Sequence, residues 1–310
     1  MTFERPEIIR PPSEHASYYL PLTSGCSNNT CAFCAFSFTN LGVRDLKDIK
    51  SEIDAMSLYM NSHVVQPGQP DIVYTILRRW DGSRVFLQDG DALVYPYPGL
   101  VEALQYLNGK FPAIERIASY ATPQDILRRS IDELKALKAL KLGILYMGVE
   151  SGDDEVLRKI KKGATHAGMV EAAAKVREAG ILLSVTVILG LGGVRGSRQH
   201  AMESARILTE MDPDYAGALT LTLIPGTPLY REWEKGEFEL ITPFDSLKEL
   251  RTMVEHADFS DCFFSSMHAS NYFAIRGSMP ADRLKMLARL DSILSQKDPA
   301  LLRPEYLRGL

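Results

Sequence analysis

Gly143-Ile-Leu-Tyr-Met-Gly-Val149, then His166-Ala-Gly-Met-Val-Glu-Ala-Ala-Ala-Lys-Val-Arg-Glu-Ala179, then Gly180 and Ile181-Leu-Leu-Ser-Val-Thr-Val-Ile188 make a strand, a helix, a stop and a strand. Met169, Ala172, Ala173 and Val176 recur at helical spacing and give the middle segment one apolar face. Gly180 supplies the stop. Two β-rich runs joined by a helix of this length form a parallel crossover.

The same alternation extends outward from about Ser17 to Tyr230. Strands are expected at Ser17–Leu22, Arg84–Gln88, Ile114–Tyr120 and Ala218–Ile224 as well, and a further helix at Gln124–Leu140. Right-handed crossovers between successive parallel strands would curl six of them into an open, partial β/α barrel. In such an α/β fold the chemistry sits at the C-terminal ends of the strands. After Tyr230 the alternation gives way to a polar stretch, Arg231 to Glu249, then Asp258 to Arg276 and a last helix from Ala281 to Gln296. The expected division is therefore a barrel over 1–235 with its N-terminal segment, and a small C-terminal appendage over 236–310.

Composition describes an ordinary globular chain: 310 residues, 45% hydrophobic, 24% charged, formal net charge −4. That balance argues against broad electrostatic capture of nucleic acid, although it leaves room for a local basic patch. Met-Thr-Phe-Glu-Arg-Pro at the start has no apolar signal segment, and no apolar run reaches the length of a membrane span. The expected location is cytoplasmic, with no membrane partner.

Directly after the first strand comes Gly25-Cys26-Ser-Asn-Asn-Thr-Cys31-Ala-Phe-Cys34, a C-x4-C-x2-C loop. Three thiols within nine residues suit a metal site in a reducing compartment better than a disulfide framework. A closed structural zinc site takes four ligands, and no fourth is near in sequence. A [4Fe–4S] cluster held by three cysteines leaves one iron open to a small molecule. Buried structural cysteines, or a Cys3His zinc site completed by a distant residue such as His268, are the alternatives. Cys262 stands alone downstream and reads as a buried thiol.

With Phe33 before its last cysteine and the six-fold alternation around it, this loop resembles that of the radical S-adenosylmethionine (SAM) superfamily. Arg10-Pro-Pro-Ser-Glu14, Phe86-Leu-Gln-Asp-Gly-Asp-Ala-Leu93, Tyr146-Met-Gly-Val-Glu-Ser-Gly152, Gly190-Leu-Gly-Gly193 and His268-Ala-Ser-Asn-Tyr272 resemble a branch described as Fe–S oxidoreductases. That branch is similar to the tRNA-modifying Elp3 and oxygen-independent coproporphyrinogen oxidase groups. The superfamily's commonest spacing is C-x3-C-x2-C, so this loop is one residue longer, which bears on the branch and not on the ligands.

The resemblance implies Cys26, Cys31 and Cys34 as cluster ligands and SAM as the second cofactor. It implies Phe33 beside the cluster and the Asp89-Gly90-Asp91 turn at the methionine amino group, with Asp91 as the acid and Gly90 allowing close backbone approach. Glu150 and Ser151 would meet the amino acid or ribose part of SAM, with Arg158 either pairing Glu150 or meeting the SAM carboxylate. Ser184 and Thr186 share one strand face and would bond the ribose; Leu191 would contact adenine. His268 and Asn271 are candidates for orienting substrate or shuttling a proton, although a lone His is as often structural.

The implied activity is reductive cleavage of SAM to methionine and a 5′-deoxyadenosyl radical that abstracts hydrogen from a small-molecule substrate. The implied partner is a one-electron donor such as a flavodoxin or ferredoxin. The rival readings are a radical SAM methyltransferase or tRNA-modifying enzyme, and a zinc-stabilised α/β binding protein without catalysis.

Overall fold

Each apolar run expected as a strand forms one, and one of them is displaced along the chain. The computed structural model describes residues 3–309. Its strands are β1 (Tyr18–Pro21), β2 (Thr23–Ser24), β3 (Gly42–Val43), β4 (Arg84–Gln88), β5 (Arg116–Tyr120), β6 (Leu142–Glu150), β7 (Leu182–Leu189), β8 (Tyr215–Thr220), β9 (Cys262–Ser265) and β10 (Arg276–Met279). Contacts group the chain into two units: Met1–Asn29, Thr39–Tyr146 and Lys175–Leu182 in one, Thr30–Phe38, Met147–Ala174 and Leu183–Leu310 in the other.

In the first unit the strands run in the order β1-β4-β5-β6. They are parallel, with Tyr19 opposite Phe86, Phe86 opposite Ala118 and Ala118 opposite Ile144. These four residues and Tyr146 form one apolar cluster, with Tyr120 packed against it. A strand buried on both faces reads as a continuous apolar run instead of an alternating one. That is the character of Leu142–Glu150, where only Gly148 is not fully buried.

In the second unit, which holds Met147–Glu150 of β6, the strands run in the order β7-β8-β9-β10. β7 pairs parallel with β8 and β8 with β9, whereas β10 runs antiparallel to β9. Burial alternates strictly along β7 and β8, so each has one face fully covered and one partly open. The six parallel strands expected, β1 and β4 to β8, are present in an α/β arrangement of mostly parallel strands. The stretch after residue 235 adds β9 and β10, the helix Pro243–His256 and the helix Arg283–Gln296.

Two local expectations are corrected. Gln124–Leu140 is two helices, Pro123–Arg128 and Ile131–Ala139, because Ser130 and Glu133 form a reciprocal capping box that starts a new helix. The strand expected at Ala218–Ile224 lies at Tyr215–Thr220. The apolar run Leu221-Thr-Leu-Ile follows the strand instead of forming it, because pairing with β7 sets the register, Ser184 opposite Tyr215 and Leu189 opposite Thr220.

Candidate functional site

In the first unit, β2 and β3 pair at the neck of the cysteine loop, Thr23 opposite Val43 and Ser24 opposite Gly42. Gly25 comes next with φ +75°, and a Cβ there would meet the Asn40 carbonyl oxygen at 2.9 Å, so only glycine fits. Its N–H donates to Asp89 Oδ2 at 3.0 Å, while the Asp89 N–H donates to Thr23 Oγ1 at 3.3 Å. The turn after β4 is thereby stapled to the residue that precedes Cys26.

Asp89 is buried, and its Oδ1 has no hydrogen-bond partner. Burial pushes its pKa up to about 6, against the pull of the Gly25 and Gly90 N–H groups. Asp91 is fully buried two residues on. Ser27 Oγ lies 2.6 Å from Asp91 Oδ2 and 2.7 Å from Asp125 Oδ2, and Thr122 Oγ1 lies 3.2 and 2.7 Å from the same two atoms. Burial, then the Asp125 carboxylate, raises Asp91 well above the usual range. Burial also opposes ionisation of Asp125, but hydrogen bonds from Asp91, Thr122 and Ser27 and the Arg128 charge hold it low. The two neighbouring carboxyls are thus driven in opposite directions, Asp91 toward its protonated form and Asp125 toward its ionised one. Asp125, Thr122 and Ser27 were not singled out in the sequence; Thr122-x-x-Asp125, a helix N-cap pattern, was the available signal.

In the second unit, Cys31 is buried and Cys34 half-buried, with Cys34 N–H donating to the Cys31 carbonyl at 3.2 Å. Ala32 ties this turn down on both sides: its N–H donates to Ile160 O at 2.8 Å and its carbonyl accepts from Leu229 N–H at 2.9 Å. Thr30 Oγ1 donates to Lys161 O at 3.1 Å. Burial pushes the Cys31 thiol up to about 11, and the Lys162 ammonium opposes that shift. None of the four cysteines is in a disulfide. Phe33 is half-buried.

Glu150 ends β6 with φ +65° and is buried. Its partner is Lys162 at 2.7 Å, not Arg158, whose side chain is 77% exposed and nearest to Glu155 at 3.9 Å. The pairing expectation for Arg158 is corrected on that geometry: a long helical side chain stays in water when a closer ammonium is available. Ser151 is buried and bonded to His200. Ser184 and Thr186 lie on the half-buried face of β7, as period-2 alternation requires. Gly190 has φ +89°, and Leu191 after it is buried.

Asn271 is buried and spends its amide on structure. Nδ2 donates to Ala218 O at 2.7 Å and Ser266 O at 2.9 Å, and Oδ1 accepts from Thr220 Oγ1 at 2.8 Å. His268 Nδ1 lies 2.9 Å from Ser270 Oγ, and burial lowers its pKa. Cys262 is buried, its thiol pushed up to about 12 by burial. Among the described residues no three His, Cys, Asp or Glu side chains stand together as a ready metal-ligand set. No helix is long and apolar enough to cross a membrane among those residues.

Residues 20–205 match the sequence model of the radical SAM superfamily. The chain belongs to the radical SAM superfamily. Enzymes of this superfamily bind a [4Fe–4S] cluster and SAM. Among its relatives are the tRNA-2-methylthio-N(6)-dimethylallyladenosine synthase of Hahella chejuensis, 27% identical over 224 residues, and the heme chaperone HemW of Bacillus subtilis, 21% identical over 211. These alignments cover 70% and 68% of this chain but 46% and 52% of the relatives, so the chain spans about half their length.

Among solved structures it is similar to Escherichia coli coproporphyrinogen III oxidase, HemN, with TM-score 0.53 and 16% identity over 77% of this chain and 51% of that one. It is also similar to the radical SAM methyltransferase TsrM of Kitasatospora setae, with TM-score 0.51 and 17% identity over 69% of this chain and 38% of that one. At such identities the likeness is one of fold, and it agrees with the partial β/α barrel expected.

Proposed function

We propose that Cys26, Cys31 and Cys34 hold one [4Fe–4S] cluster and that the chain binds SAM at its strand-end turns to start radical chemistry on a small molecule. The observation that carries this is Asp89. A buried carboxylate oxygen with no donor is rare in a folded protein, and here it sits in the turn stapled to the residue before Cys26. The ammonium of a bound amino acid would supply the missing donor.

When bound, the cluster held by Cys26, Cys31 and Cys34 together with SAM would supply one-electron radical chemistry able to remove hydrogen from a substrate. The chain's own residues do the rest. Three thiolates from one nine-residue stretch leave a ligand position open, and metal binding would draw off the proton that burial holds on Cys31 against the Lys162 charge. Glu150, paired with Lys162, and Ser151, bonded to His200, fix the turn after β6, and the half-buried hydroxyls of Ser184 and Thr186 offer bonds to a ribose. Oxidoreductase chemistry or rearrangement of a small substrate, fed by a flavodoxin or ferredoxin, is the simplest outcome.

The relatives that act in tRNA methylthiolation favour a second reading, in which the same radical start serves modification of tRNA.

The test is anaerobic: reconstitution with iron and sulfide, addition of SAM and dithionite, and assay of 5′-deoxyadenosine. Formation of that product, lost in Cys34→Ala, is expected. Purified protein that holds zinc tightly and takes up no iron would sink the proposal. Methylthio groups appearing in added tRNA would favour the second reading over the first.

A further inference from the structure

We infer that His200, with Glu249 beside it, is a positioning residue that holds the turns after β6 and β7 in the arrangement that receives SAM; this rests on the function proposed above. His200 is fully buried on the helix Gly193–Met211. Its Nε2 lies 3.0 Å from the carbonyl oxygen of Ile188, near the end of β7. A carbonyl only accepts, so Nε2 carries the hydrogen. In a neutral ring Nδ1 is then an acceptor, and the group facing it at 2.8 Å is the hydroxyl of Ser151, just past β6. Burial lowers the His200 pKa to about 4, in keeping with a neutral ring.

One imidazole thus spans two strand ends. Ser151 Oγ, donating to His200, accepts in turn from Asp153 N–H at 3.0 Å. The next amide, Gly152, donates to Ser204 Oγ at 3.1 Å on the same helix. A Cβ on Gly152 would stand 1.9 Å from the Glu203 carbonyl oxygen, and one on Gly192 would stand 2.9 Å from the His200 Cβ. The turn and the helix are therefore in backbone contact.

Glu249, from the helix Pro243–His256, completes the clamp. Its Oε2 accepts from Gly190 N–H at 2.7 Å and its Oε1 from Ser197 Oγ at 2.6 Å, with His200 Nε2 3.9 Å away.

The residue held by this clamp is not an ordinary one. Glu150 immediately precedes Ser151, and its φ of +65° is a conformation that a side-chain-bearing residue keeps only when its surroundings over-determine it. Releasing Ser151 lets Glu150 relax and turns its carboxylate away from the direction Lys162 and the clamp impose. Releasing Gly190 frees the turn that carries Leu191.

The experiment measures SAM binding, not turnover. The full chain, reconstituted anaerobically and left unreduced, is dialysed to equilibrium against radiolabelled SAM, for wild type, Ser151→Ala, His200→Gln and the double variant. His200→Gln retains a donor toward Ile188 but carries its acceptor oxygen one bond farther along the side chain than Nδ1, away from the position that meets Ser151. Each single change is expected to raise the SAM dissociation constant by about tenfold or more, since it strands a buried polar group. The double variant is expected to be no weaker than the worse single one, because both break the same link.

The reduced cluster's electron paramagnetic resonance signal, shifted by SAM in the wild type, is expected to need proportionately more SAM in the variants. Unchanged affinity with an intact cluster would overturn the positioning role and leave the proposed function standing. A wild type that holds a cluster yet binds no SAM would overturn both. If His200→Gln fails to fold, Ser151→Ala alone decides, because it removes a single oxygen.

Discussion

Two turns of this molecule place a buried acid at the end of a parallel strand or just past it, and they treat it in opposite ways. After β4, Asp89 takes the backbone N–H of Gly25, and Asp91 shares hydroxyls with Asp125; each of Asp89 and Asp91 leaves one buried oxygen without a partner. After β6, Glu150 is closed off by an ammonium at 2.7 Å, and its backbone is held in the left-handed region by the anchored Ser151 and Gly152 next to it. The first turn has acceptor capacity to spare, which is what a cationic ligand needs. The second has been satisfied by the protein itself and serves as a fixed reference. A buried carboxylate is thus a site or a strut according to whether its counter-charge is built in.

The largest effect expected is at the second turn. Lys162→Met strands Glu150 in a buried position, and loss of about 3–5 kcal/mol of stability is expected in urea unfolding. Adding Glu150→Gln should recover most of it. If Lys162→Met proves as stable as the wild type, Glu150 is not paired as the geometry shows and the contrast between the turns collapses.

A smaller effect, opposite in sign, is expected at the first turn. The pKa of Asp89 is raised to about 6 in the folded chain. The folded state therefore binds more protons than the unfolded one between roughly pH 4 and 6, and stability falls as pH rises through that window. Asp89→Asn removes that penalty. Its thermal midpoint is expected to exceed the wild type's at pH 8 and to match it at pH 4, while SAM affinity drops. An equal shift at both pH values would mean that ionisation of Asp89 is not what burial opposes.

The smallest effect is expected at Arg158. With its side chain 77% exposed and its nearest acid 3.9 Å away, Arg158→Ala should change stability by no more than about half a kcal/mol. A larger loss would mean that Glu150 draws on a second cation after all.

These contrasts also show how far the sequence could be read. The cysteine loop, the strand-end turns and the order of strand and helix are local in the chain, and each carries its own signal: spacing for the thiols, period 3.6 for His166–Glu178, a glycine of positive φ at Gly180. Local signals failed where two were superposed. Ser130 reads as one more polar residue of a helix until its capping partner Glu133 is counted. The apolar Leu221-Thr-Leu-Ile outweighed the quieter alternation of Tyr215–Thr220.

What the chain by itself determined was the class of fold, the superfamily and the residue types at each strand end. Covalent spacing and backbone periodicity are enough for that, because they hold in any tertiary context. What only the tertiary structure decided was which charge meets which. Lys162 and not Arg158 answers Glu150, Asp125 shares the hydroxyls of Asp91, and His200, 49 residues downstream, takes the hydroxyl of Ser151. Such pairings depend on distances of a few ångströms in a low-dielectric interior, where one crossing of helix over turn outweighs any preference encoded in the residues alone.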